Sequence, residues 1–560
     1  MSDTAWARPA AGREPAAAAL LGWLADASAP GLCLVAGSEG CGKSTLLAWL
    51  VGHGTRPGTV PERTVHAFVP LEGQSMRGTV WMLADQLGLV ARAPDELLAG
   101  LGADPRPVTI VLPGLHASSD SEALAELALA LCGIGHVRVV VEARSQSTVH
   151  RPLAASGGAV MDLDEPQWTD EARYQAWMAT QDAAGHSAHT TGQQTVAALA
   201  LDDAAALCAA DPWQVTAAFE NGADEHGGLR AAWLRAGQSL CRDQEPAERA
   251  LVLLAALGDG ADPRLGPELR SLATTAGWQV QWSRVRGDVT PPWPGPVLAL
   301  AQGPGLAPCQ GLMADHQGVL KTISTADGAP AGRLAQPVAQ PTAVTVLDDA
   351  TVLALDAQGR LHTRTLPTAP RVTGIAALLD DGPTPTERLT QALSAQLDRS
   401  PGTAIAATTS IASIGDATGA VRVFPVGSAQ DRQHVAQLHT GRVTALSALE
   451  IPLGGDGATV ALLYSGGADG TVRAWAPVAD PQQTPVTQRR CAVSALSAAR
   501  TPSGLVLAIG WADGLIELHR LDGGPTRLFR PGPPVNALAL TAKEYLLIGL
   551  DDRVLCLRPN

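Results

Sequence analysis

The chain reads as a multidomain protein: an α/β domain, then an all-α region, then an all-β propeller of six blades. Three observations predict this. Apolar strands alternate with amphipathic helices up to residue 163, Ala/Leu/Glu/Arg-rich helical spacing takes over through 164–276, and from 277 to 560 a strand–strand–turn–strand pattern recurs. A chain of 560 residues is also too long for a single hydrophobic core.

In the α/β domain (1–163), Leu32-Cys33-Leu34-Val35-Ala36 is a continuous apolar run, as a parallel strand covered on both faces requires. It leads into Gly37-Ser38-Glu39-Gly40-Cys41-Gly42-Lys43-Ser44, a complete G-x-x-x-x-G-K-S loop. Thr45-Leu46-Leu47-Ala48-Trp49-Leu50-Val51 follows and reads as a helix. Strand, loop and helix are the setting in which this motif cradles phosphate. The glycines let backbone N–H groups converge on phosphate oxygens, and the helix N-terminus adds a favourable dipole. Lys43 is expected to neutralise the terminal phosphates, and the Ser44 hydroxyl to ligate the Mg2+ of a bound nucleotide. Residues 65–69, 108–112 and 137–141 read as further strands, and 79–87 as a helix.

The region 164–276 carries helical spacing at 170–182, 194–209, 213–220, 229–242 and 246–257, broken at Asp211-Pro212 and Gly258-Asp259-Gly260, with a small winged-helix unit expected at its end. Residues 286–296 form a proline-rich joint, which cannot donate to a sheet.

In the propeller (277–560), first strands are expected at 297–300, 343–346, 371–375, 442–446, 492–496 and 534–538. Turns recur at Gln317-Gly318, Gln358-Gly359, Thr418-Gly419, Asp469-Gly470 and Asp513-Gly514, with Asp551-Asp552 in the last copy. They lie 41, 60, 51, 44 and 38 residues apart. X-Gly pairs supply the positive φ that tight hairpins require. The long interval holds 383–400, a charged helical excursion from the third blade, and a seventh blade is counted if that copy holds two. The last copy stops after its third strand, and 277–285 can supply the missing outer strand and close the ring.

Composition excludes several functions. Apolar content of 46% with 17% charged residues is globular, and a net charge of −14 argues against nucleic acid as the partner. Three lysines occur, Lys43, Lys321 and Lys543, and one of them sits in the phosphate loop. The eight cysteines contain no C-x-x-C pair, so neither zinc nor a disulfide framework is indicated. Cys33, Cys132 and Cys208 read as buried thiols, and Cys41 is the one placed for oxidation. His186 and His189 lie in a polar stretch that reads as loop. No secretory signal and no run of 18 apolar residues occurs, so a cytoplasmic protein without a membrane partner is expected.

The propeller copies resemble WD repeats, most clearly at Gly466-Gly467-Ala468-Asp469-Gly470-Thr471-Val472-Arg473-Ala474-Trp475, although the Trp-Asp pair is absent because Ala476 follows Trp475. The front half resembles the STAND class of signal-transduction P-loop NTPases. Besides the loop, Gly12-Arg13-Glu14 looks like the G-R-E element that precedes it in that class. The helical region with Ala210-Asp211-Pro212 looks like the lid and winged helix. The resemblance implies ATP or ADP with Mg2+ as cofactors, bound by Gly37, Ser38, Glu39, Gly40, Cys41, Gly42, Lys43, Ser44 and Thr45, with Arg13 and Pro212 as further contacts.

One departure changes the expectation. In the family the third strand ends in Walker B acidic residues, and here those positions carry Pro113, His116 and Ala117. Phosphoryl transfer depends on electrostatic positioning, so their loss costs several kcal/mol of transition-state stabilisation. Asp120 and Glu142 are the nearest carboxylates in sequence. Glu142 is the candidate substitute, and Arg144 sits where the family often places a phosphate-sensing residue. The resulting expectation is a nucleotide-dependent switch with weak or absent hydrolysis. Its propeller binds a protein partner, its oligomeric state follows the nucleotide, and its output is carried by a separate effector protein. The alternatives are a scaffold with a structural nucleotide-binding domain, or an active ATPase that remodels a partner.

Overall fold

The computed structural model describes residues 12–176, 199–286, 295–307, 309–366, 383–426, 433–453 and 458–560. It contains two compact units, Met1–Ala198 and Leu199–Asn560.

In the first unit β1 (Leu32–Ala36), β2 (Ala67–Phe68), β3 (Val108–Leu112), β4 (Val137–Glu142) and β5 (Ala159–Asp162) form a parallel sheet in the order β2-β3-β4-β1-β5. Every residue of β1 and β3 is buried, which explains their unbroken apolar sequence. The helices of this unit include α1 (Glu14–Ala25), α2 (Lys43–Gly54), α3 (Met76–Leu87), α4 (Pro94–Ala103), α5 (Ser121–Cys132) and α6 (His150–Ala154). Leu20 and Leu24 of α1 and Leu46, Leu47 and Leu50 of α2 pack with Cys33 and Val35 of β1. The expected strand at 65–69 is only two residues long, although the His66 and Val69 N–H groups extend its pairing by bonding Thr109 and Val111 oxygens. β5 escaped the sequence reading because it is short and only partly buried.

The neighbouring strands β1 and β4 send their connections in opposite directions, to β2 at one edge and β5 at the other. Such a switch point opens a crevice at the strands' carboxyl ends. The register pairs Val35 with Glu142, so the phosphate loop and Glu142 emerge side by side there.

The second unit begins with α7 (Ala204–Ala209), α8 (Pro212–Asn221), α9 (Leu229–Leu240), α10 (Pro246–Ala256) and α11 (Leu265–Leu272). The Asp203 and Asp211 carboxylates accept the first free N–H groups of α7 and α8, and Pro212 takes the first-turn position where no N–H is needed. Helix α10 is buried from Ala250 to Ala256, nearly all round, because helices cover one side and the propeller the other. Trp233, Phe219 and Leu253 share one core with Trp278, Val535 and Leu555 of the propeller. The strand after α11, β6 (Trp278–Val285), belongs to the propeller. His186, His189 and parts of the 170–182 and 194–209 stretches lie outside the described residues, as do most of the proline-rich joint and the expected strand at 371–375.

Six antiparallel sheets make the propeller. Their innermost strands are β7 (Val297–Ala301), β11 (Pro341–Val346), β14 (Gly402–Ala407), β18 (Val443–Pro452), β22 (Val493–Thr501) and β26 (Val535–Leu540). Six blades, not seven, therefore form the ring. The third blade starts at Gly402, so the helical excursion, α12 (Pro385–Leu397), precedes that blade. It buries Leu389, Leu393 and Leu397, spaced four apart, beside Leu353 and Ile405 of the second and third blades.

The blades share details beyond their period. All six inner strands carry a register shift at the same point, after Val297, Pro341, Gly402, Val443, Val493 and Val535. Just beyond it stand Ala299, Ala343, Ala404, Ala445, Ala495 and Ala537, small where six strands converge. Leu300, Val344, Ile405, Leu446, Leu496 and Leu538 follow, and this aliphatic ring lines both of the small axial cavities, about 80 and 70 Å3. In the first three blades a buried aspartate (Asp315, Asp356, Asp416) ties the outer turn by accepting N–H groups two and four residues on. In the fourth and fifth the aspartate moves to Asp469 and Asp513, with partners from neighbouring segments: His439 and Thr440 for Asp469, Arg489 and Arg530 for Asp513.

The ring closes as expected. β6, which precedes the first blade, pairs with the last strand, β28 (Arg553–Pro559), from Val285↔Arg553 to Trp278↔Pro559.

Trp278 lies in the shared core, its indole N–H bonding the Leu528 oxygen at 3.0 Å. Trp278→Ala is expected to cost about 3–5 kcal/mol in denaturant unfolding, with helical and propeller probes of Leu199–Asn560 lost in one transition. Acid sensitivity follows from the turns. Burial works to raise the Asp356, Asp416, Asp469 and Asp513 carboxyls, but hydrogen bonds and neighbouring cations hold all four below the ordinary range. A depressed carboxyl stabilises the fold above its unfolded pKa of about 3.9 and loses that contribution as pH falls through the folded value. The melting temperature is therefore expected to fall below about pH 4, and Asp513→Asn to cost about 2 kcal/mol at pH 7 while flattening the acid limb.

Candidate functional site

The Gly37–Ser44 loop is shaped by its glycines. Gly37, Gly40 and Gly42 have φ of +141°, +78° and +94°, values that side-chain-bearing residues rarely adopt. Gly42 is the N-cap of α2 and supplies no side-chain acceptor, so the first-turn N–H groups of α2 have no side-chain cap. Lys43 is 5% exposed, and its ammonium donates to the Gly37 oxygen at 3.0 Å and the Ser38 oxygen at 2.5 Å, with Cys41 Sγ at 3.6 Å. An uncapped helix N-terminus beside a buried ammonium is a set of donors suited to an anion.

The Ser44 hydroxyl lies 3.1 and 3.2 Å from the two oxygens of Glu142. Glu142 is 3% exposed and also accepts a backbone hydrogen bond from Gly114, just past the end of β3. Burial raises its carboxyl above the ordinary glutamate range, against the Ser44 hydrogen bond and the Lys43 charge, which lower it. The carboxylate thus enters from the neighbouring strand into the region between the loop serine and the end of β3. Two oxygen donors, a hydroxyl and a carboxylate, suit a hard cation such as Mg2+. Among the described residues no cluster of three His, Cys, Asp or Glu could hold a metal unaided.

The other candidates are distributed around the loop. Asp120 is committed elsewhere, its carboxylate accepting the Met76 N–H at 2.7 Å. Arg144 pairs with Glu39 at 3.0 Å, but the two side chains are 45% and 79% exposed, so the pair contributes little to stability. His116 stands at the end of β3 with its Nδ1 buried and unpartnered among the described residues. Burial, then the charges of Arg144 and Lys43, hold its imidazole below the ordinary range, which keeps it neutral at neutral pH. Arg13 is buried and donates to the Cys41 oxygen at 2.5 Å, to the Leu163 oxygen at 2.8 Å and to Thr169 Oγ1. Thr45 is exposed in the first turn of α2. Pro212 belongs to the second unit, where its carbonyl accepts the Thr216 hydroxyl. Of the cysteines read as inert, Cys33, Cys132 and Cys208 have thiols pushed up to about 12, chiefly by burial.

Two features went unseen in the sequence. Asp164 accepts both the N–H and the hydroxyl of Ser38, at 2.7 and 2.8 Å, from 126 residues away. In the fourth blade His439 joins Asp469 at 3.1 Å and Ser465 at 2.9 Å. That trio has the composition of a nucleophilic triad, but Ser465 is wholly buried inside a strand, so the cluster is a structural rivet of the blade.

No helix of the described residues is long and apolar enough to cross a membrane. No family model matches the chain, and no curated protein matches it. Among solved structures, a crystal structure of the computationally designed Ika8 protein is similar over 47% of this chain and 71% of its own, at 19% identity and a TM-score of 0.28, a likeness too distant to bear on function.

Proposed function

We propose that the chain is an ATP- or ADP-binding regulatory switch whose propeller binds a protein partner and whose hydrolytic activity is weak or absent. The observation that carries this reading is the contact of the Ser44 hydroxyl with Glu142, beside Lys43 and the uncapped start of α2. Lys43 would neutralise phosphate charge, and Ser44 with Glu142 would hold Mg2+. A bound Mg-nucleotide would bring a phosphoryl group open to attack by water. Orienting that water is the step for which the chain is poorly equipped, because the end of β3 offers Pro113, His116 and Ala117. Glu142 is already engaged by Ser44 and Gly114, which favours holding over activating. The arrangement agrees with the resemblance to the STAND class, in which nucleotide state governs partner binding.

The propeller favours a second reading, a protein-interaction scaffold. Its ring is closed by β6 and shares a core with the helices, so it is a rigid platform of the kind that commonly mediates protein contacts.

Lys43→Ala is expected to weaken Mg-ATP binding roughly 100-fold in calorimetry, and to leave the purified protein without co-purifying nucleotide. If partner capture is the same with Lys43→Ala as with the wild type, the scaffold reading stands and the switch does not. Glu142→Gln keeps an acceptor for Ser44 but removes the charge. It is expected to weaken Mg2+-dependent binding about tenfold while leaving Mg2+-free binding nearly unchanged. A wild-type turnover well above background that Glu142→Gln abolishes would restore the ATPase reading.

A further inference from the structure

We propose that Gly12-Arg13-Glu14 and Asp164 form a clasp that couples the conformation of the phosphate loop to residues 162–174, the stretch by which the chain leaves the α/β sheet. The inference rests on nucleotide binding by the loop and concerns how that binding is reported.

Each residue of the G-R-E element grips this stretch by a different means. Gly12, at φ +72°, accepts the Asp170 N–H at 2.8 Å, and a Cβ there would meet the Asp170 oxygen at 2.5 Å and the Tyr174 nitrogen at 2.8 Å. Only glycine allows that approach. Arg13 spans the gap. One arm of its guanidinium holds the Cys41 oxygen inside the loop, the other holds Leu163 and Thr169, and the cation lies 5.9 Å from the Tyr174 ring centre. Glu14 pairs with Arg173 at 2.5 Å. Asp164, next to Leu163 in the gripped stretch, takes both polar hydrogens of Ser38.

The coupling follows from what Lys43 does. Its ammonium rests on the carbonyls of Gly37 and Ser38, the residues against which Leu163 and Asp164 pack. A loop lysine drawn towards phosphate gives up those acceptors, and the Gly37–Ser38 peptide is then free to reorient. Asp164 holds Ser38 and Arg13 holds Cys41, so such a change must either break the clasp or carry residues 162–174 with it. A buried guanidinium is costly to leave unpaired, so Arg13 resists release from either side of the clasp.

The test is hydrogen–deuterium exchange of the full chain with and without Mg-ADP, beside calorimetric titration of the same nucleotide. Mg-ADP is expected to change exchange in 37–44 and 162–174 together. Asp164→Ala is expected to weaken binding about fivefold and to confine the response to the loop. Asp164→Asn, whose amide can accept the Ser38 N–H and donate to its hydroxyl, is expected to restore the joint response. Asp164 is exposed, so these variants do not disturb a core. Binding with a wild-type response limited to 37–44 overturns the clasp and leaves nucleotide binding intact. A joint response that survives Asp164→Ala unchanged also overturns it. Absence of both binding and exchange change overturns the nucleotide reading, and the clasp's reporting role with it.

Discussion

The pairing of β6 with β28 is the interaction on which the second unit depends. A ring of sheets assembled in chain order leaves its first and last blades unjoined unless one strand crosses the seam, and an open edge invites pairing with other chains. Here the crossing strand comes from before the first blade, and its register runs from Val285↔Arg553 to Trp278↔Pro559. One face of that strand also sets Trp278 and Val280 into the core that holds α8, α9 and α10. The same residues therefore close the ring and fasten the helices to it. This ties the helical region to the propeller as one compact unit, separate from the sheet that bears the phosphate loop.

In the first unit the corresponding constraint is the parallel register of β1 with β4. Pairing Val35 with Glu142 brings to the Ser44 hydroxyl a carboxylate 98 positions further along the chain. The environment then sets its character. Burial raises the Glu142 carboxyl, against the hydrogen bonds from Ser44 and the Gly114 N–H. The segment after β3, Pro113 to Ala117, carries no carboxylate, and the one beside Ser44 arrives from β4.

The repeats show how much regularity a divergent sequence keeps. The turn glycines at 318, 359, 419, 470 and 514 all adopt φ between +72° and +95°, so their spacing could be read directly. The shift in every inner strand and the alanines beside it obey a packing rule at the axis, visible only once the strands are aligned in space. The count of six could be read, but the place of the third blade's first strand could not: it begins at Gly402, after α12, while the strand-like sequence 371–375 competes for the assignment. His439, Ser465 and Asp469 carried no readable pattern, since their meeting depends on a loop, a strand and the turn that follows it.

By itself the sequence determined the local chemistry: a glycine-shaped loop ahead of a helix, a lysine and serine at its end, no carboxylate from Pro113 to Ala117 after the third strand, and hairpin turns at a propeller's period. These are properties of contiguous residues, and periodicity and turn chemistry act over a few residues at a time. The tertiary structure alone decided which carboxylate serves Ser44, what Arg13 and Asp164 hold, and whether the helices join the propeller. Each of those outcomes brings together residues that are far apart in sequence. Strand register and shared burial set them, and neither is written in any single stretch of the chain.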